Sequence, residues 1–213
     1  MANELWRIGM DYAGAPIDPA TSDPDPVVEV QRWMHAAVEA NLGTPNAMTL
    51  ATIDERGRPA ARMVLLKEID ARGFTFYTNY NSRKAHDLAA HPYAALVLFW
   101  EPMHRSVRVE GIIERVSGAE SDAYFATRPR RSQLSAIASP QSQPLADRAI
   151  LEARIAALAS QHGEQPLTRP EHWGGYRVVP DTIELWQGQP SRLHDRVRYR
   201  RIDGAWSRDR LAP

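Results

Sequence analysis

Two stretches of this chain, Arg62-Met-Val-Leu-Leu-Lys67 and Phe74-Thr-Phe-Tyr-Thr-Asn-Tyr-Asn-Ser-Arg-Lys84, stand on either side of a turn at Gly73. Their apolar, β-branched and aromatic residues predict two consecutive β-strands. Successive side chains of a strand point to opposite faces, so Arg62 shares a face with apolar residues that we expect to be buried. A half-buried arginine needs an anion beside it. The stretch therefore predicts a β-sheet whose strand ends carry a charged site.

The ends of these two strands carry cations together with neutral hydrogen-bond donors: Arg62, Lys67, Thr78, Ser82, Arg83 and Lys84. Guanidinium, ammonium and hydroxyl groups in one place are what a phosphate monoester requires. We interpret the set as a phosphate site beside an apolar slot. The alternative is an edge strand with solvated cations, because charged strand ends are common, and this stretch alone leaves both interpretations open.

The composition is that of an ordinary globular protein. The chain has 213 residues, of which 43% are hydrophobic and 24% charged, enough for one domain with a core. Acidic and basic residues balance at 26 each, so the charge predicts neither a nucleic-acid partner nor a membrane partner. Cysteine is absent, which excludes disulfides and thiolate metal sites. No signal-like segment opens the chain and its apolar runs are short, so we expect a cytoplasmic protein.

Hydrophobic periodicity predicts a mainly β protein with flanking helices (α+β). We expect residues 1–24 to be a mobile arm and residues 25–213 to form a single domain. The predicted helices cover residues 26 to about 43, 82–91, a segment that begins with a capping box at residues 117–120, and residues 145–161. The predicted strands cover residues 47–53, 60–67, 73–78, 93–100, 106–116, 176–180, 182–187 and 197–202. Residues 166–175 are predicted to be a loop, and the close strand spacing favours an antiparallel meander that closes toward a barrel.

A second group suited to phosphate lies on the capped helix. Tyr124 and Arg128 are four residues apart and therefore share a helix face, and Ser132 follows after a proline. Lys67 could reach the same group from the end of its strand. The two groups together predict two phosphates on two aromatic ligands.

A third candidate site lies near the C-terminus, where Arg192, His194 and Arg196 alternate with Leu193 and Asp195. In an extended strand the first three would share one face and repel one another unless an anion lay opposite. Such a face could hold an aromatic ring that bears an ionisable oxygen, with an imidazole beside it. A solvated strand edge explains the same pattern. The seven histidines show no metal-ligand spacing, so we predict no metal site.

The order and spacing of several motifs resemble those of the pyridoxamine 5′-phosphate oxidase family. The motifs are Arg62-Met-Val-Leu-Leu-Lys67, Phe76-Tyr-Thr-Asn-Tyr-Asn-Ser-Arg-Lys84, Tyr124-Phe-Ala-Thr-Arg-Pro-Arg-Arg-Ser-Gln133, Gln141-Ser142, Trp173-Gly-Gly-Tyr176, Trp186-Gln-Gly188, Arg192-Leu-His-Asp-Arg196 and Arg210-Leu-Ala-Pro213. The resemblance runs from about Pro26 to the C-terminus. It implies an antiparallel split β-barrel homodimer that binds two FMN molecules in the subunit interface, each contacted by both chains.

By motif position, the resemblance implies three sets of site residues in this chain. The residues that would bind FMN are Arg62, Met63, Val64, Leu65, Leu66, Lys67, Tyr77, Thr78, Ser82, Arg83, Lys84, Ser106, Gln141, Ser142, Trp186 and Arg196. The residues that would bind the substrate are Lys67, Tyr124, Arg128, Ser132, Arg192, Leu193 and His194. Arg192 would orient and polarise the substrate and His194 would assist its position or the proton balance, which makes these two the catalytic candidates.

The activity that the resemblance implies is oxidation of pyridoxine or pyridoxamine 5′-phosphate by dioxygen to pyridoxal 5′-phosphate, with release of hydrogen peroxide. One alternative is a related flavin oxidase that acts on another aromatic compound, such as a phenazine precursor. Another is a non-catalytic carrier of FMN or pyridoxal phosphate. Two positions depart from the family pattern. Ser106 stands where the family usually has glutamine, and Gly9 stands three residues before Tyr12, where the family's arm often has arginine.

Overall fold

The computed structural model describes Gly9 and residues 11–213, with eight strands and five helices in this part of the chain. The strands are β1 (Ala47–Ile53), β2 (Pro59–Asp70), β3 (Gly73–Asn79), β4 (Tyr93–Trp100), β5 (Arg105–Arg115), β6 (Trp173–Gln187), β7 (Asp195–Ile202) and β8 (Ala205–Leu211). The helices are α1 (Pro26–Glu39), α2 (Arg83–Ala90), α3 (Gly118–Thr127), α4 (Arg130–Ala138) and α5 (Arg148–His162). Short 3₁₀ turns cover Glu101–Met103 and Pro190–Arg192.

The eight strands form one sheet. Their order is β3-β2-β1-β4-β5-β6-β7-β8, and β3 also pairs antiparallel with β6. This extra pairing closes the six strands from β3 to β6 into an antiparallel barrel, while β7 and β8 continue the sheet beyond it. The predicted mainly β fold with flanking helices is therefore confirmed.

The contacts divide the chain into two compact units, and β1, β4, β5 and β6 contribute residues to both. The first unit comprises Met1–Leu50, Ala95–Gly111 and Pro180–Pro213, and the second comprises Ala51–Ala94 and Ile112–Val179. The single domain that we expected for residues 25–213 stays a prediction.

The core of the first unit contains α1 and the inward-facing residues of its strands. Asp25 caps α1 by accepting a hydrogen bond from the Val27 N–H, and Pro26 occupies the first turn. On α1, Trp33 is buried, whereas Val38 is exposed. The strands contribute these fully buried side chains: Leu96, Leu98, Val107, Val109, Ile183, Leu185, Val197 and Tyr199.

The core of the second unit forms around β3, whose phenylalanines Phe74 and Phe76 are fully buried. β2 and β3 pair antiparallel through the turn at Gly73, where a Cβ would lie 2.1 Å from the Val178 oxygen. The predicted capping box is present, because Ser117 accepts from the Glu120 N–H and Glu120 accepts from the Ser117 N–H. These contacts fix where α3 begins.

Three elements differ from the sequence prediction. Helix α4 was not predicted as a separate helix, and β8 was missed altogether. Strand β6 begins at Trp173, inside the predicted loop, and runs without a break to Gln187. A Cβ on Gly174 would lie 2.2 Å from the Tyr80 hydroxyl, and one on Gly175 would lie 2.5 Å from Val116. These glycines are strand residues that allow close packing.

The described part of the N-terminal segment contacts β7 and β8 within the first unit. The Ile17 N–H donates to Asp195, Asp18 forms an ion pair with Arg210 at 2.9 Å, and the Asp23 carbonyl accepts from the Tyr199 hydroxyl. Residues 1–8 and Met10, which belong to the predicted mobile arm, lie outside the described residues. In the part of the chain that the structure describes, no helix is long and apolar enough to cross a membrane.

Candidate active site

A cavity of about 560 Å³ in the second unit brings together most of the residues predicted to bind a phosphate-bearing substrate. Strand β2 contributes Lys67, helix α3 contributes Tyr124, and the junction of α3 and α4 contributes Arg128 and Ser132. The other lining residues are Val64, Leu65, Tyr77, Thr127, Pro129, Gln141 and Trp173. The predicted grouping of Lys67 with the α3 residues is therefore present in the structure.

Three aromatic rings form one wall of this cavity. The Tyr77 and Tyr124 rings stack with centroids 4.0 Å apart, and the Trp173 ring lies nearly parallel to both, 5.6 Å from Tyr77 and 6.1 Å from Tyr124. Burial is the main reason that the pKa of Tyr77 rises to about 12, so this phenol stays neutral at physiological pH. The stack presents Tyr124 in a fixed orientation.

Two cations lie against these rings. The Arg128 guanidinium lies 4.5 Å from the centroid of Trp173, and the Lys67 ammonium lies 6.0 Å from that of Tyr124. Arg128 forms no ion pair with any described carboxylate, and its Nη1 atom is buried with no hydrogen-bond partner among the described residues. Burial lowers the pKa of Arg128 from its usual value. An unpaired, partly buried guanidinium is suited to binding an anion.

A second cationic group forms around Lys84, at the start of α2. Its ammonium donates to Gln141 Oε1 at 2.9 Å and to the hydroxyls of Thr78 and Ser82, each at 3.1 Å. Burial, and next the positive charge of Arg62, lower the pKa of Lys84 to about 8. All three hydrogen-bond partners are neutral, so the ammonium keeps its charge available for an anion.

Arg62 is half-buried, as the strand pattern predicted, but the protein itself supplies an anion for it. Its Nη2 lies 3.1 Å from the Asp87 carboxylate, and its Nη1 donates to the Thr52 hydroxyl at 2.6 Å. Asp87 also accepts from Thr52 at 2.7 Å. We missed Asp87 because it is on α2, 25 residues away in sequence. The one feature of the sequence that points to Asp87 is its position one turn after Arg83 on a short predicted helix.

The other predicted cofactor residues of the second unit differ in exposure. Arg83 is exposed and lines a separate cavity of about 470 Å³ with Asp54 and His86. Met63 is exposed, whereas the Leu66 side chain is in the core. Ser142 has a φ of 73° in the loop after α4.

A cavity of about 470 Å³ in the first unit contains the remaining predicted cofactor residues, Ser106, Trp186 and Arg196. Arg196 is held by Glu184, whose two oxygens accept from its Nε at 2.9 Å and from its Nη2 at 3.1 Å. Arg108 donates to the same carboxylate at 2.7 Å. The Glu184 side chain is only 6% exposed, and sequence reasoning missed it as a site residue.

The predicted common face of Arg192, His194 and Arg196 is not present, because the chain there is not extended. Arg192 ends a 3₁₀ turn with a φ of 60°, Ser191 has a φ of 55°, and β7 begins only at Asp195. Leu193 is 69% exposed. His194 is half-buried, and its Nδ1 accepts from the Gln189 N–H at 3.1 Å. The catalytic roles of Arg192 and His194 stay predictions.

Tyr12 covers this turn in the first unit. Its ring makes edge contacts with His194 at 5.4 Å, Trp186 at 5.5 Å and His104 at 4.9 Å. The Ala13 N–H donates to His104 Nδ1 at 3.3 Å. Gly9, at the position of the family's arginine, is exposed. Among the described residues, no group of three or more histidine, aspartate or glutamate side chains is placed to hold a metal ion.

Two regions of the chain match known protein families. Residues 34–162 match the family described as pyridoxamine 5′-phosphate oxidase. The chain belongs to the pyridoxamine 5′-phosphate oxidase family. Residues 173–213 match the family described as the pyridoxine 5′-phosphate oxidase C-terminal dimerisation region. Pyridoxamine 5′-phosphate oxidases are FMN-dependent oxidoreductases, so membership confirms the predicted family, enzyme class and cofactor.

Individual relatives agree with this family. The chain is 55% identical over 207 residues to pyridoxine/pyridoxamine 5′-phosphate oxidase 1 of Ralstonia nicotianae, covering 97% of each chain. It is 54% identical to the pyridoxine/pyridoxamine 5′-phosphate oxidase of Burkholderia vietnamiensis, covering 98% of this chain and 99% of the relative. Among solved structures, PhzG from Burkholderia lata, in complex with tetrahydrophenazine-1-carboxylic acid, has a TM-score of 0.88 at 30% identity, covering 94% of this chain and 99% of PhzG.

The chemistry of the donor groups fits the cofactor of pyridoxamine 5′-phosphate oxidases. FMN carries a phosphate, and Lys84 offers an ammonium that is held by the Thr78 and Ser82 hydroxyls and has no competing carboxylate in hydrogen-bond contact. In the first unit, Trp186 and Arg196 line a cavity with an aromatic surface and a fixed cation, which suits a polar aromatic ring. Each unit therefore contains residues that fit a part of FMN.

Proposed function

We propose that this protein oxidises pyridoxine 5′-phosphate or pyridoxamine 5′-phosphate to pyridoxal 5′-phosphate with dioxygen as the acceptor. Oxidation of the alcohol removes two electrons and two protons from the 4′ carbon and its oxygen, which dioxygen receives as hydrogen peroxide. Oxidation of the amine removes the same pair, and water then releases ammonia. The reaction belongs to vitamin B6 biosynthesis and salvage.

The observation that carries this proposal is the pairing of two phosphate-suited groups in one unit. The set of Lys67, Tyr124, Arg128 and Ser132 lines one cavity, and the set around Lys84 lies next to Gln141, which lines the same cavity. A cofactor phosphate and a substrate phosphate would account for both. Charge-assisted hydrogen bonds contribute roughly 1.5–3 kcal/mol each, so three or four of them support micromolar binding of a small phosphate ester.

FMN, when bound, supplies the two-electron redox chemistry and its coupling to dioxygen. The chain's own residues bind the cofactor and the substrate and orient them. Lys84, held by Thr78 and Ser82, would bind the cofactor phosphate, and Arg62, fixed by Asp87, would add its positive charge beside it. Trp186 and Arg196 would hold the ring system, with Arg196 oriented by Glu184.

Substrate orientation is assigned to two sets of residues. Lys67, Tyr124, Arg128 and Ser132 would hold the substrate phosphate, which fixes one end of a small rigid ring. Arg192 would donate to the pyridine substituents and orient the 4′ carbon. His194 would carry its proton at Nε2 and donate a hydrogen bond from that atom, because Nδ1 already accepts the Gln189 N–H. Alignment of the donor carbon is the main contribution that such a site can make.

We also propose that the protein works as a homodimer with FMN in the subunit interface, each FMN contacted by both chains. The support is the match of residues 173–213 to a dimerisation region. A location in the cytoplasm stays a prediction.

The direct test is a steady-state assay for hydrogen peroxide in air. We expect the FMN-loaded protein to produce one equivalent of peroxide for each pyridoxal 5′-phosphate formed from either phosphorylated vitamer. Pyridoxine without its phosphate should react at least about a hundredfold less efficiently, since it leaves Arg128 unpaired. Equal efficiency with both forms would contradict the assignment of the phosphate site.

A second candidate is oxidation of a phenazine precursor, favoured by the likeness to PhzG at a TM-score of 0.88. That substrate class has no need of a phosphate site, so replacing Arg128 with glutamine should leave its oxidation unchanged. The same replacement should sharply raise KM for pyridoxine 5′-phosphate if the first proposal is right. Comparing the two substrates with wild type and Arg128→Gln therefore distinguishes the candidates.

A further inference from the structure

Arg128 differs from three other buried or partly buried arginines of the second unit in what holds it. Arg62 has Asp87 as a carboxylate partner, Arg169 has Asp122, and Arg177 has two partners, Glu114 and Glu120. Arg128 has no such partner among the described residues, and its Nη1 is buried without a hydrogen bond. Something other than a counter-ion must therefore keep its guanidinium in place.

The contact that Arg128 does have is the face of Trp173. The guanidinium carbon lies 4.5 Å from the centroid of the ring, closer than to that of Phe125 at 5.8 Å. Trp173 itself is 6% exposed and is fixed on several sides. Its ring is parallel to those of Tyr77 and Tyr124, and its carbonyl accepts from Arg169 at 2.6 Å. The ring is thus a rigid support.

An aromatic face and a carboxylate hold a guanidinium with different consequences. A carboxylate satisfies the N–H donors and neutralises the charge, so an incoming phosphate must compete with it. A ring face attracts the cation through its quadrupole and leaves the in-plane N–H donors without partners. Tryptophan provides the strongest such face among the side chains. A guanidinium supported in this way is oriented before the ligand arrives, and it keeps its charge for that ligand.

We propose that Trp173 is a positioning residue of the phosphate site, which orients Arg128 through its ring face and leaves the guanidinium donors available to the phosphate of the substrate. This inference rests on the proposed function for the identity of the substrate. It assigns to Trp173 a role in affinity and not in the chemical step. Trp173 touches neither the phosphate nor the reacting carbon in this role.

The test compares Trp173→Phe and Trp173→Leu in the FMN-loaded protein, because phenylalanine keeps a smaller ring face and leucine keeps none. We expect KM for pyridoxine 5′-phosphate to rise about fivefold in the phenylalanine variant and about twentyfold or more in the leucine variant. The value of kcat and the dissociation constant of FMN should stay within about twofold. The matched control is Trp206→Leu, which removes a ring outside the site whose centroid lies 5.9 Å from Arg201. This variant should change none of the three quantities, KM, kcat and the dissociation constant of FMN.

A double-mutant cycle separates this role from general packing. If Trp173 acts through Arg128, then Trp173→Phe should have no further effect on KM in an Arg128→Gln background. If Trp173 has only a structural role, Trp173→Phe would raise KM in the Arg128→Gln background as much as in wild type. Alternatively, it would lower kcat, FMN affinity and melting temperature and leave KM unchanged. Either result would overturn the proposal. Because the cycle uses the phenylalanine variant, it can still be measured if the leucine variant fails to fold.

Binding of inorganic phosphate to the holoenzyme, measured by calorimetry, separates failure of this inference from failure of the proposed function. Wild type that binds phosphate but oxidises neither phosphorylated vitamer would refute the function alone, and weaker phosphate binding in Trp173→Phe would still support the role of Trp173. Phosphate binding that is equal in wild type and Trp173→Phe would refute the role of Trp173. Wild type that binds no phosphate would refute both.

Discussion

Glu184 holds Arg196 by two parallel hydrogen bonds, with Nε 2.9 Å from Oε1 and Nη2 3.1 Å from Oε2. The carboxylate is buried, and Arg108 donates to it as well. Two-point contacts of this kind fix the plane of a guanidinium as well as its position. Glu184 therefore determines where Arg196 presents its charge in the first-unit cavity.

We predict that Glu184→Gln weakens FMN binding by about tenfold, because the amide cannot accept both bonds from Arg196 and the guanidinium loses its fixed orientation. The dissociation constant of FMN can be measured from the quenching of flavin fluorescence. Asp209→Asn is a matched control, since Asp209 accepts two hydrogen bonds from Arg198 on β7 but lines none of the three cavities described above. If both variants bind FMN like wild type, Glu184 does not orient a cofactor residue.

Replacing Asp87 with asparagine is expected to destabilise the protein by about 2–4 kcal/mol. Asp87 is buried and accepts from both Arg62 and Thr52, so its loss leaves a half-buried guanidinium without a counter-charge. Urea denaturation of the apoprotein measures the change in the free energy of unfolding.

The control for this change is Asp70→Asn, which breaks the Arg72–Asp70 pair on the surface. Exposed pairs contribute little, so we expect a loss below about 1 kcal/mol. Equal losses of unfolding free energy for Asp70→Asn and Asp87→Asn would show that burial does not increase the contribution of the Arg62–Asp87 pair to stability.

FMN affinity should fall as the pH rises through about 8. Burial and the neighbouring Arg62 lower the pKa of Lys84 to about 8, so its ammonium is charged below this pH and neutral above it. Binding of a phosphate dianion favours the charged form, which puts the higher affinity on the acidic side. The measurement is the FMN dissociation constant between pH 7 and pH 9.5.

Lys84→Arg provides the comparison for that pH profile, because arginine keeps its charge throughout the range. Its FMN affinity should be nearly independent of pH. A wild-type profile as flat as that of the arginine variant would show that Lys84 does not contact the FMN phosphate.

Arg192→Gln should reduce kcat by about tenfold or more while leaving FMN bound, because the variant keeps both phosphate sites and loses the donor to the pyridine ring. The readouts are turnover and the FMN content of the purified protein. Arg201→Gln, on an exposed part of β7, serves as the control and should behave like wild type. Unchanged turnover in Arg192→Gln would remove Arg192 from the active site.

The regular elements of this fold were predictable where local pattern decides them. Runs rich in β-branched and aromatic residues, separated by turn clusters, predicted the bounds of β1 and β4 to the residue, and the capping box at Ser117 and Glu120 marked the beginning of α3 within one residue. Such signals lie within one turn or one strand, so tertiary contacts do not change them.

Tertiary packing explains what the sequence pattern missed. Gly174 and Gly175 have the composition of a loop, yet they lie in β6 because the Tyr80 and Tyr77 rings need the space that a Cβ would take. The residues from Arg192 to Arg196 have the alternation of a strand, yet Ser191 and Arg192 adopt positive φ and turn the chain. In both cases the structure depends on a packing neighbour or a backbone conformation that the local alternation of residues does not indicate.

Some residues of the candidate site could likewise be predicted from the sequence, and others could not. Chemistry alone identified the groups that suit phosphate, such as Lys84 with Thr78 and Arg128 with Tyr124. It could not identify the residues that hold them. Asp87, Trp173 and Glu184 act through contacts with residues distant in the sequence, and only the folded chain brings them together.

The central claim is most directly tested by mixing the FMN-loaded protein anaerobically with pyridoxine 5′-phosphate and following the absorbance of the oxidised flavin. We expect the absorbance to bleach, and then to recover on admission of air with formation of pyridoxal 5′-phosphate. Flavin that stays oxidised with both pyridoxine and pyridoxamine 5′-phosphate would contradict the proposed function.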